Sequence, residues 1–560
     1  MNKFLMVLQK IMLACFVLIF IYILSILLFV DRFHPSWFVF DELYYRVPLP
    51  NFVLLLIEIA VAGCIYFVIH KRKNSAKMLT EAKVKQEQPV DVSVRTKKVG
   101  RQLLIASVIL FVVQLIFVSQ LYFEIGFDVY YMKNAAEYFV NHVYVEFYKV
   151  YLEVNPNNVM IYFITICFDK LGMLLSVDGY KINILFGIIL ANLSVYLTGK
   201  VVFRLTSHRG LTWMAYGLAV FFIGLSPWIM APYSDIYSVV IPIMTFDIYL
   251  MLRPKKWNPC LKVILVSILP VLGSLIKPTN LFILFGIMIV EVLMAQVHRG
   301  LWKQILAALL GLLVVSAAWY GVRAGVYQAV GYVPNEEVSR PMMHYALIGS
   351  DTESSGNYNY YDDQISDLTP GKDAKIALEG KLIKERYLNM GCKGYLYHLT
   401  KKNLLNYNNA ILGWGKEYEF AHSIHQSTNP LGRLLQNIYY PNGSSMVTNA
   451  IGVGGKYFAY YILLAQFLWM LIMSFLLAAG IYALFHWNHS LKAEKKDKTI
   501  LAERNKRAIL ILSIVMIGIF VFLSIFETNA RYLFSYLPMI ILFSSYGAGS
   551  IFCNQIFIQK

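Results

Sequence analysis

The chain lacks the short motifs that identify the common classes of soluble enzyme. No zinc-ligand spacing, phosphate-binding loop or dinucleotide fingerprint interrupts its apolar segments. Acidic residues are also scarce, since 33 Asp and Glu stand against 50 Lys and Arg and give a formal net charge of +17. In a soluble protein this excess would indicate nucleic-acid binding. Here the basic residues lie in short connections between apolar runs, so we expect membrane lipids and no nucleic acid as partners.

Cysteine is rare as well. Six are present, and only Cys392 lies in the one large polar segment, residues 323–456. That segment therefore has no internal disulfide and must fold by packing. The N-terminal apolar run lacks a small-residue cleavage site and precedes many similar runs. This indicates a first membrane span and not a signal peptide.

Hydrophobic residues are abundant, at 58% of 560 residues. Soluble domains contain about 45–50%, so composition alone indicates a membrane protein. Runs long enough to cross about 30 Å of hydrocarbon occur at roughly 11–30, 52–70, 102–121, 182–202, 211–230, 237–252, 261–276, 280–297, 304–322, 457–485, 508–526 and 532–552. We therefore predict a cell-membrane protein with about 12 spans and both termini cytoplasmic.

The run at 158–175 could form either a span or a surface helix. We predict a helix that lies on the extracytoplasmic surface of the membrane. Its charged pair, Asp169 and Lys170, suits an interfacial helix better than a bilayer centre. The positive-inside rule agrees, because counting this run as a span would move several basic clusters to the outside. With the run excluded, the basic clusters that fall inside are 71–85, 204–209, 253–257, 298–303 and 492–498.

The predicted fold class is an all-α polytopic membrane protein with interfacial helices in its first large outer loop. We divide the chain into two N-terminal spans with a charged linker (1–101), a transmembrane catalytic module (102–322), an extracytoplasmic helical subdomain (323–456) and C-terminal spans (457–560). Within the subdomain, helical patterning near 373–391 ends at Gly391.

Asp128 is the most informative acid, because it begins an aromatic-rich stretch in the first large outer loop. One interpretation is a helix N-cap, since Asp accepts backbone hydrogen bonds at a helix start. The other is a general base for an acceptor hydroxyl, which needs one carboxylate close to an anomeric carbon. The two roles are compatible, because a helix N-terminus stabilises a carboxylate and fixes its direction.

Other charged residues map to the outer ends of predicted spans. Asp235 lies in the turn SPWIMAPYSD and is either a solvated cap or a second functional acid. Lys277 and Arg531 either extend to the interface, as long cations do, or hold a phosphate leaving group, for which arginine offers a bidentate fork. Glu527 precedes Arg531 by four residues, which predicts an i,i+4 ion pair.

Weaker candidates remain elsewhere. Arg340 and His344 lie in the long polar segment, and His344 has no partner at metal-ligand spacing. Two mid-span acids, Glu58 and Asp247, would matter most in a transporter. The simpler interpretation of Glu58 is a helix–helix hydrogen bond.

The order of these features resembles that of the GT-C superfamily of glycosyltransferases, in its protein-mannosyltransferase-like branch that uses polyprenyl-phosphate sugars in bacteria. GFDVYYMKNAAEYF resembles the first-loop motif, with Asp128 at the catalytic-acid position. The later segments VNPNNVMIYFI, SPWIMAPYSDIYSV and FETNARYLFSYLPMI resemble the juxtamembrane helix, the second acidic turn and the Glu-Arg-Tyr motif. The resemblance covers residues 102–325 and 505–550.

The chain departs from that family in three ways. Two spans precede the motif-bearing module. In FDELYYR, Asp41 and Glu42 resemble the acidic pair of aminoarabinose-transferase relatives and compete with Asp128 for the catalytic role. Asn-Pro-Asn replaces the usual His-Pro-Pro, which leaves a metal site there open.

The resemblance implies a GT-C fold and the inverting transfer of a sugar from a polyprenyl-phosphate donor at the outer membrane face. The acceptor would be a cell-wall polysaccharide, teichoic acid, lipid or protein. Asp128 and Asp235 would be catalytic, and Arg531 and Lys277 would bind the donor phosphate. The expected substrate-binding residues are Glu153, Asn157, Asn158, Glu527, Arg340 and His344. A divalent metal cation is the one cofactor that this chemistry leaves open.

Two other functions remain open on the sequence. One is a polysaccharide polymerase or ligase that acts on lipid-diphosphate chains. The other is a transporter or lipid flippase, in which Glu58 and Asp247 would matter more than Asp128.

Overall fold

The computed structural model describes residues 3–30, 49–80, 92–295, 301–422, 424, 426–441, 454–487 and 496–552. These residues are almost entirely helical, which confirms an all-α polytopic membrane protein. The helices are α1 (Lys3–Phe29), α2 (Asn51–Thr80), α3 (Val92–Leu121), α4 (Phe127–Val140), α5 (Glu146–Val154), α6 (Val159–Leu175), α7 (Gly179–Thr206), α8 (Arg209–Ala219), α9 (Ser234–Ser238), α10 (Ile241–Leu252), α11 (Pro259–Gly273), α12 (Phe282–Leu293), α13 (Leu301–Ala329), α14 (Met342–Gly349), α15 (Tyr360–Leu368), α16 (Lys372–Tyr407), α17 (Trp414–Glu417), α18 (Pro430–Tyr439), α19 (Phe458–His486), α20 (Lys496–Ile525) and α21 (Leu537–Phe552).

Nine helical segments of the described chain are long and apolar enough to cross a membrane. They are Phe4–Phe29, Lys97–Leu121, Pro156–Leu175, Gly179–Thr206, Ser234–Leu252, Leu301–Ala329, Phe458–His486, Glu503–Ile525 and Ala530–Phe552. The shorter apolar helices Asn51–Cys64, Pro259–Gly273 and Pro278–Leu293 cover three further predicted runs. The run predicted near 211–230 is divided into α8, a π-helical turn and a 3-10 turn (Pro227–Met230). The number of spans stays a prediction.

The helix α6, which we predicted to lie on the membrane surface, is thus also long enough to span. Both of its ends nevertheless lie near one short segment. Asn158, just before α6, contacts the hydroxyl of Tyr233, while the hydroxyl of Tyr180, just after it, contacts the carbonyl of Met230. Whether α6 lies on the membrane surface or crosses the membrane stays a prediction.

The polar segment 323–456 is helical where it is described, but it is not detached from the rest. Strand β2 (Ala421–His422) pairs antiparallel with β1 (Glu124–Ile125), directly before α4. The buried ring of Trp414 lies 5.0 Å from the ring of Phe123 and 5.9 Å from that of Trp228. Gly391, where the sequence predicted the end of a helix, has a φ of 59° and separates two helices within the range Lys372–Tyr407, so the predicted helix end is confirmed. The domain boundaries stay a prediction.

The C-terminal helix lies at the centre of the bundle. Its segment Ala530–Phe552 is 94% buried, the largest value among the candidate spans of the described chain. A Cβ at Gly547 would lie only 1.7 Å from the Phe475 carbonyl oxygen, so α19 and α21 approach closely because this residue is glycine. The segment before α21 therefore enters the protein interior, and that segment carries Glu527 and Arg531.

Candidate functional site

The structure brings together five predicted residues from four distant segments at one end of the helix bundle. They are Asp128, Asp235, Lys277, Glu527 and Arg531, and they share partners or neighbouring aromatic rings. We call this region the Asp128 end. None of these contacts is local in sequence except that between Glu527 and Tyr532.

Asp128 is not a helix N-cap. Helix α4 begins at Phe127, and its N-cap residue is Gly126, so Asp128 lies in the first turn. Its two carboxylate oxygens accept hydrogen bonds from different tyrosines: Oδ1 from Tyr151, and Oδ2 from Tyr233 at 2.7 Å. The capping interpretation is therefore wrong, and the carboxylate is held from two sides.

Both tyrosines remain donors to this carboxylate. Burial raises the pKa of the Tyr151 and Tyr233 hydroxyls well above its usual range, and the nearby Asp128 carboxylate raises it further. Asn158 connects the pair, since its amide nitrogen donates to the Tyr151 hydroxyl at 2.9 Å and its oxygen lies 2.9 Å from that of Tyr233. Because Asn158 is only 1% exposed, its position suits a residue that orients the tyrosines better than one that contacts substrate.

Phe127 carries backbone strain next to this carboxylate. Its φ of 43° lies in the left-handed region, which is unfavourable for an aromatic residue. Its ring packs 5.8 Å from the Tyr233 ring, and the Arg531 guanidinium carbon lies 4.8 Å from it. The strained turn therefore places Asp128 and the ring of Phe127 beside the Arg531 guanidinium.

Asp235 is shared by two buried cations. It is 4% exposed, accepts a hydrogen bond from Lys277 Nζ, and lies 3.3 Å from Arg531 Nε. Lys277 and Arg531 are themselves 7% and 9% exposed. Burial lowers the pKa of Lys277, and the Asp235 carboxylate opposes that shift. Because both cations contact the Asp235 carboxylate, Asp235 is placed to hold them in position.

Arg531 is surrounded by aromatic rings. Its guanidinium carbon lies 4.8 to 6.0 Å from the ring centres of Phe127, Trp228, Tyr233 and Tyr532. The predicted ion pair with Glu527 is wrong, because among the described residues Arg531 pairs with Asp235. Glu527 instead accepts a hydrogen bond from Tyr532 at 2.9 Å, and burial raises its pKa.

Two further predicted residues lie at the edge of the site. Asn157 accepts a hydrogen bond from the Tyr345 hydroxyl at 3.3 Å. Glu153 lies 3.6 Å from Lys149 and accepts from Asn335 at 2.8 Å, so it connects α5 to the polar segment. The contacts with Tyr345 and Asn335 tie the segment between α3 and α7 to residues that follow α13.

Arg340 and His344 belong to a separate charged network inside the polar segment. Arg340 donates a bidentate pair to Asp367 at 3.0 and 2.8 Å. His344 is 1% exposed, and its Nε2 lies 3.1 Å from Asp363. Neither residue contacts the Asp128 carboxylate, but the network borders the Asp128 end, since the charge of His344 acts on the pKa of Glu527.

The acids that a transporter would use do not converge either. Glu58 is 4% exposed, and neither of its carboxylate oxygens has a hydrogen-bond partner within the described residues, so the predicted helix–helix bond is absent. Asp247 pairs with Lys200 at 3.2 Å and with Arg204. The competing acids Asp41 and Glu42 lie outside the described residues.

A metal site made by the protein alone is not visible in the described part of the chain, where no three His, Cys, Asp or Glu side chains gather to hold an ion. The residues that sequence reasoning missed are aromatic: Tyr151, Tyr233, Trp228 and Tyr345. Two of them carried a signal, because Tyr151 approaches the Pro-Asn-Asn turn and Tyr233 lies two residues before Asp235.

Comparison with known proteins gives one family. A family model described as "conserved hypothetical integral membrane protein" matches residues 8–550. No curated protein and no solved structure matches the chain. The match runs from α1 into α21 and agrees with the apolar helices described above. The chain therefore belongs to this family of conserved hypothetical integral membrane proteins.

Proposed function

We propose that the protein is a membrane glycosyltransferase of the GT-C type. It would transfer a sugar from a polyprenyl-phosphate donor to an extracytoplasmic acceptor, which is a polysaccharide, a teichoic acid, a lipid or a protein. The observation that carries this proposal is the arrangement of Asp128. This partly exposed carboxylate is held by Tyr151 and Tyr233, and the Tyr233 ring lies 5.6 Å from the Arg531 guanidinium carbon.

Asp128 is the general base in this proposal. It takes the proton of the acceptor hydroxyl while that oxygen forms a bond to the anomeric carbon of the sugar. The bond from the anomeric carbon to the phosphate oxygen breaks, and the lipid phosphate leaves with the electron pair. Attack opposite to the leaving group inverts the anomeric configuration. Tyr151 and Tyr233 are positioning residues, since they fix the direction of the carboxylate.

The leaving phosphate needs positive charge, because it gains a negative charge as the bond breaks. Arg531 supplies this charge, together with Lys277. Asp235 acts here as a positioning residue that holds both cations, in place of the second catalytic acid that the sequence predicted. Glu527, with a pKa raised by burial, and Asn157 stand at the edge where the sugar or the acceptor would lie.

The proposal is tested with purified protein and a radiolabelled polyprenyl-monophosphate sugar. The protein should release polyprenyl phosphate in the presence of an acceptor. Asp128→Asn should reduce transfer by about 10²–10⁴-fold, the usual contribution of a general base. The matched control is Asp373→Asn, which changes an exposed acid in the first turn of α16.

Three results would contradict this proposal. Near-normal transfer by Asp128→Asn would remove the assigned base. Activity with a diphosphate-linked donor alone would indicate the polymerase or ligase instead. Movement of an unmodified lipid across vesicles, dependent on Glu58 or Asp247, would indicate the transporter.

A further inference from the structure

The end of the bundle opposite to Asp128 carries a second group of buried and half-buried charges. Helix α7 begins at the Asp128 end, where the Tyr180 hydroxyl lies 3.3 Å from the Ile125 nitrogen. Arg204 lies about 36 Å further along that helix, at 1.5 Å per residue. Since the hydrocarbon core is about 30 Å thick, Arg204 lies at the other membrane–water boundary. Helix α20 runs between the same two ends, and Arg504 near its start meets Arg204 there.

Among the side chains that the structure describes, positive charge exceeds negative charge around Arg204. Asp247 pairs with Arg204 and is also 3.2 Å from Lys200 Nζ, so one carboxylate serves two cations. The neighbouring acids are engaged elsewhere, in a network that joins Glu291 and Glu503 to Arg253 and Arg507. Within the described residues, no carboxylate pairs with Arg504 or Arg209.

The two arginines without a carboxylate also have buried donors that lack an acceptor. Arg504 is fixed by a hydrogen bond of 2.7 Å from its terminal nitrogen to the Arg204 carbonyl. Its Nε is buried and has no partner in the described chain, and the same is true of Arg209 Nε. A buried charged donor without an acceptor is costly, so such groups in native proteins usually mark a bound water or ion. A group that satisfied these donors would carry acceptor oxygens and negative charge.

The surroundings indicate that this group belongs to a lipid. Trp213 follows Arg209 by one helical turn on α8, shares its face, and is 39% exposed. Trp257 and Trp302, which follow α10 and begin α13, are 49% and 79% exposed. Exposed tryptophan is typical of the level of the lipid headgroups.

We infer that Arg204 and Arg504, flanked by Arg209, bind the phosphodiester of an anionic phospholipid at the bundle end opposite to Asp128. Arginine suits this ligand because its planar fork can donate two parallel hydrogen bonds to phosphate oxygens. The bound headgroup offsets the positive charge of Lys200, Arg204 and Arg504, which among the described side chains Asp247 balances only in part. This inference does not depend on the proposed glycosyl transfer.

The test compares phosphatidylglycerol with phosphatidylcholine, each added to the full-length protein in neutral detergent. Phosphatidylglycerol should bind and should be retained in native mass spectra, and it should raise the unfolding temperature more than phosphatidylcholine does. Arg504→Gln should weaken apparent phosphatidylglycerol affinity by about tenfold or more, the effect of losing a charged hydrogen bond. The matched control is Arg101→Gln, an exposed cation on α3 at the same end, which should keep nearly wild-type affinity.

Three outcomes would overturn the inference. The first is equal stabilisation by the two lipids. The second is an equal loss of affinity in Arg101→Gln, which would show general charge attraction without a site. The third is that inorganic phosphate raises the unfolding temperature as much as phosphatidylglycerol does, which would identify a site for the free anion. If Arg504→Gln does not elute as a folded protein, Arg209→Gln replaces it with the same expected loss, and unchanged affinity there also contradicts the inference.

Discussion

Replacing Asp235 with asparagine removes the carboxylate that two buried cations share. Lys277 donates to it and Arg531 lies 3.3 Å away, and all three side chains are at most 10% exposed. Removal of one partner from a buried ion pair costs about 3–5 kcal/mol, because the remaining charge is left unpaired in a poorly polar environment. Lys277 loses its carboxylate while Glu417 still acts on Arg531, so we expect Asp235→Asn to reduce the free energy of unfolding by about 3–5 kcal/mol.

A second variant separates this electrostatic cost from a general loss of packing. In Asp235→Asn with Lys277→Met, one unpaired cation becomes an apolar side chain of similar length. The double variant should therefore recover more than half of the lost stability, and the coupling between the sites should exceed ~1 kcal/mol. The measurement is chemical unfolding of the purified protein in detergent, with Asp373→Asn as the control. The reasoning is refuted if Asp235→Asn stays within ~0.5 kcal/mol of wild type, or if the double variant is no more stable than the single one.

Two further predictions concern Arg531 and His398. Arg531→Lys keeps the charge but loses the planar fork, so the apparent affinity for a polyprenyl-phosphate donor should fall in a transfer assay; unchanged donor dependence would show that Arg531 only packs at the interface. Burial lowers the pKa of His398 to about 4, whereas an unfolded histidine titrates near ~6.5. As the pH falls from about 6.5 to about 4, the unfolded chain takes up a proton that the folded chain does not, so unfolding should become easier by ~3 kcal/mol. Unfolding measured across that range should show a smaller decrease in His398→Gln, and an equal decrease would contradict the assignment.

Much of the architecture follows from local sequence. Long apolar runs predict helices of membrane length, and most of the predicted runs coincide with helices that are apolar enough to span. The difficult segments are those in which an apolar run does not form one straight helix. The run near 211–230 ends in a π-helical turn followed by a 3-10 turn at Pro227–Met230, because proline and the contacts of Trp228 override hydrophobicity there.

The candidate site shows the same contrast between local features, which the sequence reveals, and long-range contacts, which it does not. Asp128, Lys277 and Arg531 could be identified from the sequence, because they lie at the ends of apolar runs in segments whose order resembles that of a known enzyme family. Their partners could not be identified. The Asp128–Tyr233 hydrogen bond and the Asp235–Arg531 ion pair join segments that are far apart in the chain. The local alternatives, an N-cap at Asp128 and an i,i+4 pair at Arg531, both proved wrong.

Composition and hydrophobic patterning are sufficient to identify a helical membrane protein with charged residues at the ends of its apolar runs. Hydrophobic burial and helix length are properties of single segments, so they can be derived without knowing the neighbours. The pairing of these charges, in contrast, depends on the tertiary structure. Glu58 has no hydrogen-bond partner among the described residues while Asp235 has two cations, and the local sequence around each acid does not predict these partners. The difference arises because pairing depends on how separate helices pack, and that packing is set by contacts along the whole chain.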